Sequence, residues 1–205
     1  DVTDTVYMGP WLASTISQCD GLTEAMSYWT FSDVFEEQGV VKTPFYGGFG
    51  LIAEDDIPKP ALNAFAMLHQ LGDRRIKVES DSVLATRRQD GSIVIALWNY
   101  AAPYGSGSSY TPPPQVPGPL KRFTVTLNGV PPNAAVTVWR LDANHGNVMK
   151  TFDAMGRPSF PTREQIAELR AAGKAASSET TLLRQNTIKI SIPPQGLVVL
   201  RAEAK

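Results

Sequence analysis

The sequence predicts a mixed fold in two parts: helices around one strand over residues 1–79, then an antiparallel β-sandwich with a short inserted helix over residues 80–205. Three observations predict it. Apolar residues before position 80 recur at helical spacing, whereas those after it alternate or run as short blocks. Asp-Gly and Pro/Gly turn signals separate the blocks.

Met8, Trp11, Leu12, Ile16 and Cys19 share one helical face, and Gly9-Pro10 inside that pattern makes the helix start late or bend there. Residues 25–35, AMSYWTFSDVF, read as an aromatic-rich strand. A glycine-rich turn, Tyr46 to Gly50, leads to a second helix opening at Lys59-Pro60, where proline suits the first turn. Leu62, Phe65 and Leu68 mark its buried stripe, and Leu71-Gly72 ends it.

Beyond residue 80 the pattern changes period. Val83 to Arg88 and Ser92 to Tyr100 flank Gln89-Asp90-Gly91, a hairpin signal, and SIVIALWNY is apolar on both faces as a covered central strand would be. Phe123, Val125 and Leu127 alternate with threonines. Val136 to Leu141, Thr187 to Ile192 and Leu197 to Ala202 complete six strands, the hallmark of a sandwich. Residues 103–119 form a Pro/Gly/Ser loop, and Thr162 with Gln165 gives a capping-box start to a helix over 163–172, with Ile166 and Leu169 on its buried side.

Composition narrows the function. The 205 residues are 42% hydrophobic and 19% charged, with a formal net charge of −1, so no basic surface awaits a nucleic acid. No apolar run approaches the ~20 residues that span a bilayer. Cys19 is the only cysteine, which rules out an internal disulfide. The opening DVTDTVYMG has no initiator Met and reads as an internal cut, with any targeting signal expected upstream.

The chemistry concentrates in SYWTFSDVFEE, residues 27–37. Side chains alternate along a strand, so Glu36 and Glu37 cannot both face the same way there. The two working carboxylates of a glycosidase face each other across a bond, roughly 5 to 10 Å apart. Two readings of Glu36 and Glu37 therefore stand: a solvated acidic loop, or acceptors for substrate hydroxyls. Trp29 is either core or a platform for the apolar face of a sugar ring. Tyr46–Gly50 has neither P-loop nor dinucleotide-turn spacing, and His69 and His145 lack partners at metal-ligand spacing.

SYWTFSDVFEE, PFYGGFGLI and IPKPALNAFAMLHQLG, in that order, resemble the C-terminal part of the catalytic barrel in family 39 glycoside hydrolases, which include bacterial β-xylosidases. The likeness continues through VTVWRLDANHGNVMKTFDAMGRPSFPTREQIAEL and covers nearly the whole chain, least in residues 103–119. It implies a (β/α)8 TIM barrel followed by an accessory β-sandwich. Residues 1–79 would supply the barrel's last strand and helices, and residues 80–205 the sandwich. Active sites of such barrels lie at the C-terminal ends of the strands, where Glu36 and Glu37 fall. The resemblance implies that Trp29, Glu36 and Glu37 line a xylose-binding subsite, with Phe35 beside them, and that no cofactor or metal is needed.

There is one large departure. The family's acid/base and nucleophile glutamates follow the fourth and seventh barrel strands, and the matching positions would lie upstream of Asp1. No catalytic residue is assigned in this chain, which is expected to be inactive alone. Its expected partners are a xylose-containing saccharide and the upstream barrel segment, with no nucleic acid or membrane. Apolar faces around Trp11, Trp29, Phe31 and Phe65 need cover from that segment, from another copy by self-association, or from the sandwich. The alternative is a free-standing carbohydrate-binding or structural β-sandwich module without catalysis. Against it, Trp98 and Trp139 sit in strands with apolar neighbours.

Overall fold

The computed structural model describes residues 2–35, 39–41, 43–101, 118–175 and 178–203. A 3-10 turn at Val2–Asp4 leads into helix α1 (Met8–Cys19). A short antiparallel pair follows, β1 (Ile52–Ala53) and β2 (Ile57–Pro58), and then helix α2 (Pro60–Leu68). Strands β3 (Arg74–Ile76), β4 (Val83–Arg87), β5 (Ile93–Trp98), β6 (Lys121–Thr126) and β7 (Ala135–Leu141) come next. Helices α3 (Val148–Ala154) and α4 (Arg163–Gly173) precede β8 (Glu179–Leu182), β9 (Thr187–Ile192) and β10 (Leu197–Ala202).

Six strands form one antiparallel sheet in the order β3-β4-β5-β10-β7-β8, and β6 with β9 forms a second, two-stranded sheet. The last strand is central: Leu197 faces Trp98 on one side and Leu141 on the other. Between the sheets, Ile93, Ile95, Leu97, Val136, Val138 and Leu200 pack against Phe123, Val125, Ile188, Ile190 and Ile192. All six predicted strands are present. The hairpin between β4 and β5 turns at Gly91, with φ +84°, where Asp90 accepts a hydrogen bond from Ser92 N at 2.9 Å.

The larger sheet is covered on its other face by α1 and α2, which is why every residue of β5 is buried. Trp98, 1% exposed, lies there with Val94, Ala96, Leu141 and Val199, against Leu12, Ala13, Ala61, Ala64 and Leu68. Burying roughly 200 Å² of one tryptophan contributes on the order of 5 kcal/mol before entropy is counted. A Cβ on Gly9 would lie 2.8 Å from Leu141 Cδ2, so glycine lets α1 rest directly on the sheet. Pro10 sits in the first turn of α1, where no intrahelical donor is lost.

Several expectations need correction. Residues 25–35 do not form a regular strand: Ser32 makes a single parallel bridge to Ile52. Thr30 N and Asp33 N donate to Phe49 O and Ile52 O, and Leu51 N to Thr30 O. Among the described residues no strand pairs with this segment as a ladder, and apolar composition without a neighbour's backbone does not make one. The buried stripe of α2 is Ala61, Ala64, Met67 and Leu68, while Leu62 and Phe65 are only half-buried, because the sheet lies one residue round the helix from the expected face. Of the apolar side chains expected to need cover, Trp11 and Phe65 are partly buried against a core of helix and sheet residues, whereas Trp29 and Phe31 stay exposed. Strands β3 and β8 and helix α3 are not legible as periodic segments, being short or mostly exposed. Helix α4 carries the capping box as predicted: Thr162 Oγ1 accepts from Gln165 N and Gln165 Oε1 from Thr162 N. The Pro-rich loop expected over 103–119 lies mostly outside the described residues.

Candidate functional site

The site is built on a charged centre that the periodicity arguments pass over. Lys59, the N-cap of α2, is 0% exposed. Its Nζ lies 2.7 Å from Asp4 Oδ1, and donates to Asp33 Oδ2 at 2.7 Å and Gly48 O at 2.8 Å. The ammonium thus makes two hydrogen bonds and meets Asp4 as an ion pair. The other carboxylate oxygens turn to the glycine loop: Asp4 Oδ2 accepts from Gly47 N at 2.7 Å and Asp33 Oδ1 from Gly50 N at 2.5 Å. Tyr46 donates its hydroxyl to Asp33 O at 2.9 Å. The helix start, the 3-10 turn, the segment around Ser32 and the glycine loop are thus tied at one point.

The electrostatics follow from burial. Desolvation raises the Asp4 carboxyl above its usual range, outweighing the attraction of Lys59. Tyr28, packed edge-on against Phe65, has its phenol pushed up to about 12 by burial and then by the negative charges of Asp33 and Asp4.

Over this centre lies a cleft of about 330 Å³, lined by Thr30, Ser32, Phe35, Val40, Tyr46 and Phe49 among others. Aromatic surface is unusually open here. Trp29 and Phe31 are each 68% exposed and Phe35 is 42% exposed. The Trp29 and Phe35 rings meet edge to face, with centroids 6.0 Å apart and planes at 88°. The structure therefore brings Trp29 and Phe35 together at the surface, and Glu36 and Glu37 lie outside the described residues. Asp33 also lines the cleft, but its oxygens are held by Lys59 and Gly50, so it is not free to shuttle protons. What remains is a binding geometry: flat apolar rings beside the hydroxyls of Thr30 and Ser32, suited to a neutral, hydroxylated ring.

Elsewhere the chemistry is structural. His145 Nδ1 lies 2.7 Å from the buried Asp142 in a turn, and His69 is the C-cap of α2. Among the described residues no cluster of His, Cys, Asp or Glu could hold a metal ion, and no helix is long and apolar enough to cross a membrane. A second groove of about 390 Å³ runs past Cys19, Asp20 and Arg75, where Arg75 and Asp20 are already ion-paired at the surface. Sequence reasoning misses Lys59, Asp33 and Asp4 as a unit. The only signal for it is a lysine just ahead of an N-terminal helix proline and close to a run of glycines.

Comparison with known proteins places these features in context. The family model described as Glycosyl hydrolases family 39 matches residues 1–186. A β-xylosidase of Geobacillus stearothermophilus is 35% identical over 193 residues, and one of Caldicellulosiruptor saccharolyticus 31% identical over 183. These alignments cover 93% and 85% of this chain but only 36% and 35% of the relatives, so the chain spans about a third of their length. Among solved structures, a monomeric β-xylosidase from Caulobacter crescentus CB15 superimposes with a TM-score of 0.83 at 25% identity, over 99% of this chain and 42% of that one. A GH39 enzyme from Xanthomonas axonopodis pv. citri gives a TM-score of 0.78 at 26% identity, over 100% and 42% of the respective chains.

Proposed function

Because this chain belongs to glycosyl hydrolase family 39, a glycosidase family, we propose that it is the C-terminal portion of a retaining β-xylosidase-like enzyme. In this reading residues 1–79 complete a TIM barrel and residues 80–205 form the accessory β-sandwich. The chain supplies one wall of a xylose subsite, and the acid/base and nucleophile glutamates are contributed by the rest of the parent polypeptide. Coverage of about a third of the β-xylosidase relatives supports a part rather than a whole.

The observation that carries the reading is the exposed ring of Trp29 set edge to face against Phe35, which lines a cleft. Trp29 stacks against the apolar face of the sugar, Phe35 holds the indole upright, and Glu36 and Glu37, next in sequence, accept its hydroxyl hydrogen bonds. The parent enzyme then cleaves a β-linked xyloside through a covalent glycosyl-enzyme, with its two glutamates about 5–5.5 Å apart. No cofactor is required for that chemistry. A free-standing binding module fits less well, since Trp98 is buried and Trp139 partly so beneath the helices, leaving neither as a stacking platform.

The test compares the 205-residue chain with the full-length parent on an aryl β-xyloside. The parent should turn over, and the isolated chain should not. Hydrolysis by the isolated chain would overturn the placement of both glutamates outside it.

A further inference from the structure

The ammonium of Lys59 joins chain segments that are remote in sequence. It holds Asp33, two residues before Phe35, and Gly48, the residue before Phe49, while Asp4 anchors both to the 3-10 turn. The two walls of the cleft are therefore set by one buried cation. The packing around it is tight: a Cβ on Gly48 would fall 2.4 Å from Asp33 Oδ1, and one on Gly50 2.3 Å from Asp33 N. Lys59 has no exposed surface, so it acts on any ligand only through its neighbours.

We propose that Lys59 is a positioning residue for the sugar cleft, fixing the separation of the Thr30–Phe35 wall from the Tyr46–Phe49 wall. The proposal rests on the subsite reading above. Without the cation, two buried carboxylates would face each other unpaired, a situation relieved by protonation or by moving apart. Movement would carry the glycine loop, and Phe49 with it, because Gly47 and Gly50 are bonded to those carboxylates. A subsite tolerates displacements of only about half an ångström before it loosens.

The experiment uses the full-length parent enzyme. Lys59→Met should raise KM for an aryl β-xyloside and Ki for xylose tenfold or more. Its kcat per titrated active site should fall less than threefold. Because the single variant leaves two unpaired carboxylates, Lys59→Met with Asp4→Asn is measured beside it, and the same rise is expected. A purely structural role would instead lower Tm and the fraction of active molecules with KM and Ki unchanged; that result in either folded variant overturns the proposal. In the unmodified enzyme, saturating xylose should slow amide exchange at Gly47 and Gly50 at least threefold, and unchanged exchange also overturns it. An unmodified enzyme that neither binds xylose nor cleaves the xyloside would sink the subsite reading itself, a distinguishable outcome.

Discussion

Replacing Gly50 with alanine should destabilise the 205-residue chain by about 2.5–6 kcal/mol, from two contributions. The new Cβ would lie 2.3 Å from Asp33 N and 2.5 Å from Ser32 C, both backbone atoms that no rotamer change can move. Overpacking of this kind costs about 1–3 kcal/mol. The forced shift also breaks the 2.5 Å hydrogen bond from Gly50 N to the Asp33 carboxylate, and a buried bond to a charged group is worth about 1.5–3 kcal/mol. Gly21→Ala is the matched control. Gly21 has φ +79° and nothing within 4 Å of the point a Cβ would occupy, so only backbone conformation is penalised, at roughly 1–2 kcal/mol. Urea unfolding of both variants, comparing midpoints at constant m, separates the two effects. Equal losses, or a Gly50→Ala loss below about 1 kcal/mol, would refute the claim that the Ser32–Asp33 backbone leaves no room for a side chain there.

Two further predictions rest on exposure and burial. Trp29→Ala should change stability by less than about 1 kcal/mol, because the ring is mostly solvent-facing, yet weaken xylose binding by the parent enzyme about tenfold in calorimetry; unchanged affinity would count against the stacking role. Asp4 gives a pH signature. Its folded-state pKa is raised above 3.8, so the folded chain holds the proton longer, and stability relative to Asp4→Asn should fall as pH rises from 3.8 through the folded value. A difference that stays flat or grows with pH, in urea titrations of both chains, would contradict burial as the dominant effect on this carboxyl.

Local rules read well in this chain where a few consecutive residues decide the outcome. The Thr162–Gln165 capping box, the Asp90-Gly91 hairpin and Pro60 in the first turn of α2 are all recognisable, because their partners are neighbours in sequence, whereas the late start or bend read from Gly9-Pro10 gives way to a helix that begins at Met8. Periodicity fails at residues 25–35, where aromatic and apolar content suggests a strand. The backbone there pairs only by a bridge to Ile52 and scattered bonds to 49–52. It also misjudges α2 by about one residue of rotation, since spacing says that a helix has an apolar face but not which neighbour will meet it.

The candidate site divides the same way. That Trp29 belongs to a distinctive aromatic and acidic stretch is visible from the letters alone, as is the family resemblance that gives the stretch a role. Whether its ring points outward is not, for alternation leaves both faces open until a sheet exists to bury one of them. The union of Lys59 with Asp4 and Asp33 is likewise a product of folding. An ion pair depends on distance and dielectric, and both are properties of the packed chain. Amino-acid order thus dictated the turns, caps and apolar blocks through short-range sterics and hydrogen bonding. Close packing of helices on the sheet decided which charges met in the interior and which aromatics stayed in water.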